Sequence, residues 1–284
     1  MKSIWKTALV STMMLSLALP AVAASVVEPA ECDNVIVAHR GGAKESNTPD
    51  NSLAALKYTQ SLGCYASECD IYITADNKLI VGHVDNDGKF NGYYPFEATL
   101  EQIRSNGKLA NGETIPTLDE FLDQTIKDGS CTKLWIDIKN VTKPRQLSQY
   151  PIAACKEACR IIKERNAEKW VEFICTSNPE VMAGCSSVCK AAGIPIAWMS
   201  KKPASDYKSA GYDWSNMNSI YMRDPLHNGK RTIDEFNKAG VKLSVYVIDE
   251  KETKDYYLEN IDKLKAITTN HPAELLKRLR AKGQ

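Results

Sequence analysis

Short apolar segments alternate with amphipathic segments from about residue 35 to the end of the chain. Apolar runs of about four to eight residues predict buried strands, and apolar positions recurring every three or four residues predict helices. The predicted strands are Val35–Ala38, Ser67–Thr74, Leu134–Ile138, Trp170–Cys175, Ile194–Met199, Ser219–Met222, Leu243–Ile248 and Leu264–Thr268. Eight strands, each followed by a helix, predict a closed α/β fold, the (β/α)8 TIM barrel. A doubly wound open sheet is the alternative, because periodicity alone does not separate the two.

Nine helical segments and one extra apolar segment complete this pattern. The predicted helices are Ser52–Leu62, Thr99–Arg104, Leu118–Ile126, Ile152–Arg165, Pro179–Ala192, Ile233–Ala239, Glu252–Asn260 and Ala273–Arg280, with a brief one near Asp206. Thr117 has the side chain and the position of an N-cap. The segment Leu79–His83 follows the Asp76-Asn77 turn directly. We therefore expect it to be an excursion of the second strand rather than a ninth barrel strand.

The start of the chain has the features of a secretory signal peptide over residues 1–23. Lys2 and Lys6 make it basic, an apolar stretch follows, and Ala21-Val22-Ala23 is a small-x-small cleavage site. The apolar stretch is too short to span a membrane. We therefore expect residues 24–284 to form a single exported barrel domain with no stable membrane anchor. That domain would be periplasmic in a Gram-negative bacterium and secreted otherwise.

The charge balance is close to neutral. The chain has 36 Lys and Arg against 35 Asp and Glu, and two of the lysines lie in the predicted signal peptide. A nucleic acid or an anionic membrane surface is therefore not predicted as a partner, because neither would be attracted to a neutral protein.

Three carboxylates stand near the ends of two successive predicted barrel strands. Glu68 and Asp70 are two residues apart on the second strand, so their side chains point to the same face. Asp137 holds the equivalent place on the third strand. Active sites of such barrels form where the strands end. Oxygen ligands suit hard divalent cations, so this group predicts a site for one Mg²⁺ or Ca²⁺ ion.

Cationic and titratable side chains accompany these carboxylates. His39 and Arg40 close the first strand, Lys139 follows Asp137, and His83 ends the excursion of the second strand. Arg40, Lys139 and a metal ion would neutralise a phosphate, while two histidines would exchange protons at near-neutral pH. Each residue alone could equally be a core histidine or a member of an ordinary ion pair. Their coincidence at three successive strand ends favours cleavage of a phosphodiester.

The chain resembles the glycerophosphodiester phosphodiesterase family in the order and content of short motifs. These are Ala38-His39-Arg40-Gly41, Pro49-Asp50-Asn51-Ser52, Glu68-Cys69-Asp70, Gly82-His83, Ile115-Pro116-Thr117-Leu118-Asp119-Glu120 and Ile136-Asp137-Ile138-Lys139, with weaker echoes in Tyr246-Val247-Ile248-Asp249 and Ile267-Thr268-Thr269-Asn270-His271-Pro272. The motifs span nearly all of the chain after the signal peptide. The resemblance implies a barrel enzyme that releases glycerol 3-phosphate and an alcohol from a small glycerophosphodiester.

The resemblance also implies roles for individual residues. The implied catalytic pair is His39 and His83, the implied metal ligands are Glu68, Asp70 and Asp137, and the implied substrate ligands are Arg40, Lys139 and Tyr246. Four positions depart from the family pattern. Asp stands at positions 50 and 137 where Glu is usual, Val84 interrupts the usual His-Asp pair, and Tyr246 replaces a common Trp. Tyr246 is therefore either a wall of the substrate pocket or a core residue.

Two other functions fit the same residues. A phospholipase C- or D-like enzyme on this fold would act on intact lipids, and it would present an apolar, basic loop at the barrel mouth. A non-catalytic barrel would bind phosphodiesters without cleaving them. The retention of both histidines favours an enzyme.

Nine cysteines, none of them in the predicted signal peptide, are typical of an oxidising compartment. Cys155 and Cys159, and likewise Cys185 and Cys189, have helical i, i+4 spacing, which is too wide for a disulfide within one helix. Zinc binding and buried free thiols are alternatives. Since the two helices should lie side by side, we predict at least one disulfide between the two pairs.

The other cysteines lie on or near the first strands. Cys32, Cys64 and Cys131 each precede one of the first three strands, so one disulfide among them is expected at the end of the barrel away from the site. Cys69 lies between two residues that face the barrel interior. It should therefore face the helices as a buried free thiol.

Overall fold

The computed structural model describes residues 26–283, so the predicted signal peptide lies outside the described residues. The described chain forms nine strands: β1 (Ile36–Ala38), β2 (Ala66–Ile73), β3 (Leu79–Val81), β4 (Lys133–Ile138), β5 (Val171–Cys175), β6 (Ile196–Trp198), β7 (Trp214–Asn218), β8 (Lys242–Tyr246) and β9 (Ala266–Thr269). The α-helices are α1 (Ala43–Ser46), α2 (Leu53–Leu62), α3 (Leu100–Ser105), α4 (Leu118–Thr125), α5 (Gln149–Glu164), α6 (Pro179–Ala192), α7 (Ala204–Ser209), α8 (Ile233–Ala239), α9 (Lys251–Glu259) and α10 (Pro272–Ala281). Within residues 26–283, no helix is long and apolar enough to cross a membrane.

Eight parallel strands close into a barrel. Strand β1 pairs with β2, where Val37 lies opposite Ala66, and also with β9, where Val37 lies opposite Thr268. The other strands follow in chain order around the ring, and β3 is bonded antiparallel to the outer end of β2. Closure confirms the predicted TIM barrel and excludes the open sheet. The antiparallel pairing confirms that the Leu79–His83 segment is an excursion.

Side-chain caps fix the beginnings of several helices. Ser52 accepts a hydrogen bond from the amide of Ala55 at the start of α2. Thr117 caps the start of α4, as the sequence predicted, and it does so in a reciprocal capping box with Glu120. Such caps satisfy amide groups that have no partner within the helix. The two caps therefore fix the residues at which the loops before α2 and α4 end.

The predicted strand Ser219–Met222 is wrong. The strand is β7, Trp214–Asn218, and the residues after it form a 3-10 turn capped by the Asn218 side chain. The polar residues of β7 obscured the strand in the sequence. Asn216 is buried inside the barrel, and its side-chain oxygen accepts a hydrogen bond of 2.8 Å from the Ser244 hydroxyl, which satisfies this polar group.

The amino-terminal half of the barrel interior is closed by an ion-pair network around Glu172. Its carboxylate accepts hydrogen bonds from the indole of Trp135 at 2.8 Å, the hydroxyl of Tyr65 at 2.7 Å and the ammonium of Lys265 at 3.1 Å. Lys133 lies 3.5 Å away. Burial opposes ionisation of Glu172, but the two lysines lower its pKa below the usual value. This network therefore fills the amino-terminal end of the barrel interior.

The structure contains a disulfide between Cys32 and Cys131, which confirms the bond expected among the three cysteines before the first strands. Cys64 is the one left unpaired. Cys69 is a buried free thiol, as predicted from its place between two inward-facing residues.

The predicted disulfide between α5 and α6 is wrong, although the helices do pack side by side. All four cysteines are free and buried. The Sγ atoms of Cys155 and Cys189 are 3.5 Å apart, so they are in contact but do not form a disulfide. The Sγ atoms of Cys155, Cys159 and Cys189 lie within 4.8 Å of one another at the interface between the helices.

Candidate active site

Three carboxylates converge at the carboxyl end of the barrel. Glu68 and Asp70 both point inward from β2, and Asp70 lies directly opposite Asp137 of β4 in the strand register. One oxygen of each carboxylate lies within 4.8 Å of the others, and all three residues are buried. The residues that the sequence predicted as metal ligands therefore form one cluster.

Two cations offset this buried negative charge. The Lys139 ammonium lies 3.2 Å from Asp70 and 3.0 Å from Asp137, and the Arg40 guanidinium lies 3.4 Å from Asp70. Burial opposes ionisation of Asp70, but Lys139 and Arg40 outweigh it and lower its pKa. Burial and the neighbouring carboxylates raise the pKa of Glu68. With all three carboxylates ionised, the cluster would carry one more negative charge than the two cations neutralise.

The cluster has the donor set of a divalent metal site. Asp137 Oδ1 is buried and has no hydrogen-bond partner. A buried carboxylate oxygen without a partner is costly, and a cation would satisfy it. Carboxylates at this spacing are the ligands that Mg²⁺ and Ca²⁺ prefer. The described residues thus fit the cation that the sequence predicts.

His39 lies at the end of β1 in a tight turn. The turn requires Gly41, which has a φ of +80° and approaches Ala55 so closely that a Cβ there would lie 2.6 Å from the Ala55 Cβ. His39 Nδ1 lies 2.8 Å from the side-chain oxygen of Asn270, and Nε2 lies 4.0 Å from Glu68. Burial lowers the pKa of His39, while the bond to Asn270 opposes that effect.

The orientation of Asn270 assigns the donor of this hydrogen bond. Its side-chain nitrogen donates to Asp249 at 2.7 Å, and its backbone amide donates to the same carboxylate at 2.9 Å. The Asn270 oxygen therefore faces His39 and accepts from Nδ1–H. This leaves the lone pair of neutral His39 on Nε2, towards the carboxylates. Asp249 and Asn270 lie in two of the motifs that resemble the family, but only the fold shows that they orient the ring of His39.

His83 follows β3 and lies on another side of the cluster. Its Nδ1 donates to the backbone carbonyl of Val84 at 2.7 Å, so the carbonyl orients the ring although Val84 interrupts the usual His-Asp pair. His83 is exposed and lines a cavity of about 310 Å³ together with Asp137 and Lys139. The two histidines thus approach the same carboxylate cluster from different cavities.

Residues 50 and 51 hold Arg40 and Asp70 in place. Asp50 accepts a hydrogen bond of 2.8 Å from Arg40. Asn51 donates to the Asp70 carboxylate at 2.9 Å and accepts from the Asp70 amide at 3.0 Å. The motif that contains Asn51 is visible in the sequence, but only the fold shows that Asn51 orients a carboxylate of the cluster.

Tyr246 lies on the wall of the catalytic cleft rather than in the core. The cleft has a volume of about 270 Å³, and its wall includes His39, Arg40, Asn218 and Tyr246 around the carboxylates. Burial, with a smaller contribution from Asp137, raises the pKa of Tyr246 to about 12. Its hydroxyl is therefore protonated and able to donate at neutral pH.

The chain is similar to known proteins over nearly the whole barrel. The model of the glycerophosphoryl diester phosphodiesterase family matches residues 39–274. A glycerophosphodiester phosphodiesterase of Caldanaerobacter subterraneus subsp. tengcongensis is 36% identical over 98 residues, which are 31% of this chain and 39% of that protein. The chain therefore aligns with less than half the length of this curated relative.

Two solved structures share the fold. The glycerophosphodiester phosphodiesterase of Parabacteroides distasonis superimposes with a TM-score of 0.73 at 22% identity, covering 90% of this chain and 100% of that one. A phosphodiesterase of Oleispira antarctica, solved with the product sn-glycerol-3-phosphate, gives a TM-score of 0.63 at 15% identity over 87% and 96% of the two chains. Because the family match includes every side chain of the cluster described above, this chain belongs to the glycerophosphoryl diester phosphodiesterase family.

Proposed function

We propose that this protein is a metal-dependent phosphodiesterase that hydrolyses glycerophosphodiesters to glycerol 3-phosphate and an alcohol. One observation carries the proposal: three buried carboxylates form one cluster at the carboxyl end of the family barrel, with two cations beside them and one histidine lining each of two cavities that share Asp137 and Lys139. The product bound to the Oleispira antarctica phosphodiesterase supports the same substrate class.

Glu68, Asp70 and Asp137 are the proposed ligands of one divalent ion, either Mg²⁺ or Ca²⁺. Such an ion supplies positive charge to the phosphate oxygens in the transition state. Arg40 and Lys139 are the proposed phosphate ligands, because both cations already lie at the edge of the cluster and reach the cleft. Tyr246 provides a neutral donor on the wall of the same cleft.

The histidines are the proposed proton carriers. In the neutral form of each ring, Nδ1–H is bound to an oxygen, of Asn270 for His39 and of Val84 for His83. Nε2 of each ring is then available. One ring, in its neutral form, removes the proton of the attacking hydroxyl at Nε2, and the other, in its imidazolium form, gives its Nε2 proton to the departing alcohol oxygen. The same acid–base roles apply whether the attacking nucleophile is a water molecule or a hydroxyl of the substrate.

The test is a coupled assay of glycerol 3-phosphate release from soluble glycerophosphodiesters. We expect turnover that is abolished by exhaustive chelation and restored by adding back Mg²⁺ or Ca²⁺. A His39→Ala variant that folds normally serves as the inactive control. Binding of diesters without any turnover by the metal-loaded protein would instead establish a non-catalytic barrel.

A second candidate is a phospholipase C- or D-like activity on intact lipids. One observation favours it: Ile220, Tyr221 and Leu226 are exposed apolar side chains in the loop after β7, at the mouth of the barrel. Arg223 and Lys230 lie in the same loop. Release of headgroup or headgroup phosphate from phospholipid vesicles, faster than cleavage of soluble diesters, would support this activity over the first.

We also propose that the protein is exported after removal of residues 1–23. The disulfide between Cys32 and Cys131 supports an oxidising destination, because such bonds are uncommon in the cytosol. Amino-terminal sequencing of the protein from the extracytoplasmic fraction should begin at Ala24. Recovery of the uncleaved chain in the cytosol alone would contradict export.

A further inference from the structure

A broad side pocket opens from the catalytic cleft beside the loops that follow β5, β6 and β7. Its volume is about 510 Å³, compared with about 270 Å³ for the cleft. The two cavities share Met199, Asn218 and Tyr246 on their walls, so they adjoin each other. If the phosphate and glycerol occupy the cleft, the side pocket is the largest adjoining space for the alcohol arm of a diester.

The side pocket carries positive charge. Lys201 and Lys202 line it, and no carboxylate does so among the described residues. Lys202 lies 3.7 Å from Asp206 and 5.5 Å from the centre of the Trp198 ring, at an exposed position where such an ion pair is weak. Lys201 makes no ion pair within residues 26–283. Both ammonium groups therefore remain largely uncompensated.

The other polar groups on the pocket wall are neutral. They are hydroxyls and one carboxamide, including the Tyr246 phenol, which stays protonated at neutral pH. The cavity on the His83 side differs, because it is smaller, about 310 Å³, and contains Asp85 as well as Lys143. Of the two cavities beside the cleft, only the larger one has cations without a carboxylate.

This charge distribution discriminates between alcohols. Tyr221 and Tyr246 present aromatic rings that could attract a quaternary ammonium group, but the two lysines repel such a cation. A phosphate or carboxylate on the alcohol arm would instead meet two ammonium groups and several hydroxyl donors. We propose that the side pocket selects glycerophosphodiesters whose alcohol carries negative charge and disfavours choline-type alcohols. This specificity rests on the proposed diesterase function.

The test compares three diesters whose alcohols are cationic, neutral and anionic: glycerophosphocholine, glycerophosphoglycerol and glycerophosphoinositol 4-phosphate. The wild-type protein should cleave the anionic diester with the highest kcat/KM, and increasing salt should reduce that advantage. In a Lys201→Glu, Lys202→Glu variant, the ratio of kcat/KM for the anionic to the cationic diester should fall by about tenfold or more.

The matched control is a Lys190→Glu, Lys208→Glu variant. It makes the same change in net charge at exposed helical positions outside the pocket, and it should leave the ratio unchanged. A wild-type preference for the choline diester, or the same ratio in the pocket variant as in the wild type, would overturn the proposed specificity.

Failure of the diesterase function gives a different result, since none of the three diesters would then be cleaved. Calorimetric titration of the metal-loaded His39→Ala variant with the same diesters decides the specificity in that case. Tighter binding of the anionic diester, lost when Lys201 and Lys202 are also replaced by Glu, supports it. Equal binding of all three diesters rejects it.

Discussion

The hydrogen bond between Asn270 and His39 offers the most direct test of how the site works. Asn270 holds Nδ1–H at 2.8 Å, and Asp249 holds Asn270 at 2.7 Å. Asn270→Ala removes the acceptor, frees the ring to rotate, and allows the tautomer with its proton on Nε2. A single hydrogen bond contributes about 0.5–1.5 kcal/mol net, which is roughly 2- to 13-fold in rate. Partners that orient a reactive histidine usually contribute about 10- to 100-fold, so we expect kcat to fall within that larger range.

The pH dependence gives a second readout with a definite sign. The bond to Asn270 raises the pKa of His39 against the effect of burial. Its removal should therefore lower this pKa further, and the limb of the kcat/KM profile that reports His39 should move to lower pH. A general loss of structure would reduce activity without moving that limb.

A double-mutant cycle separates positioning from other causes. We expect Asn270→Ala to cost little further activity when His39 is already Ala, because the ring that it orients is gone. The assay is glycerol 3-phosphate release at saturating metal, with circular dichroism to verify folding. Independent, multiplicative losses in the cycle, or a kcat within twofold of wild type in the single variant, would refute the reasoning.

Three further outcomes follow from the described contacts. His83→Ala should lower kcat by on the order of 10²–10⁴, and near-normal turnover in the folded variant would remove His83 from the mechanism. Asp70→Asn should weaken metal binding measured by calorimetry, and unchanged affinity would exclude Asp70 as a ligand. Glu172→Ala leaves the Trp135 indole and two lysines without their acceptor, so it should reduce the free energy of unfolding by about 2–4 kcal/mol. Because the pKa of Glu172 is lowered in the fold, its stabilisation should be complete above the ordinary pKa of a glutamate and lost as the pH falls through the lower folded pKa. Equal denaturation midpoints of variant and wild type at pH 7 would contradict this.

Local pattern in the sequence was sufficient to predict the alternating strands and helices and the carboxylate pair on β2, whereas closure of the barrel was needed to exclude an open sheet. Alternation along a strand places Glu68 and Asp70 on one face whatever the rest of the chain does. The Thr117 cap and the excursion after the Asp76-Asn77 turn likewise depend on near neighbours. Reliance on local pattern also explains why strand β7 was missed. Asn216 faces the barrel interior, where the pattern of a buried strand predicts an apolar residue.

Only the tertiary structure decided which distant side chains meet. Asn270 is 231 positions from His39, and neither residue carries a local feature that names the other. The cysteines illustrate the same limit. The order of the strands placed two helices side by side, but the disulfide predicted between them is wrong, because Cys155 and Cys189 are free thiols in contact. The charge of the side pocket likewise arises where loops after several strands come together. Periodicity reports which face of an element is buried, whereas barrel closure determines what that face touches.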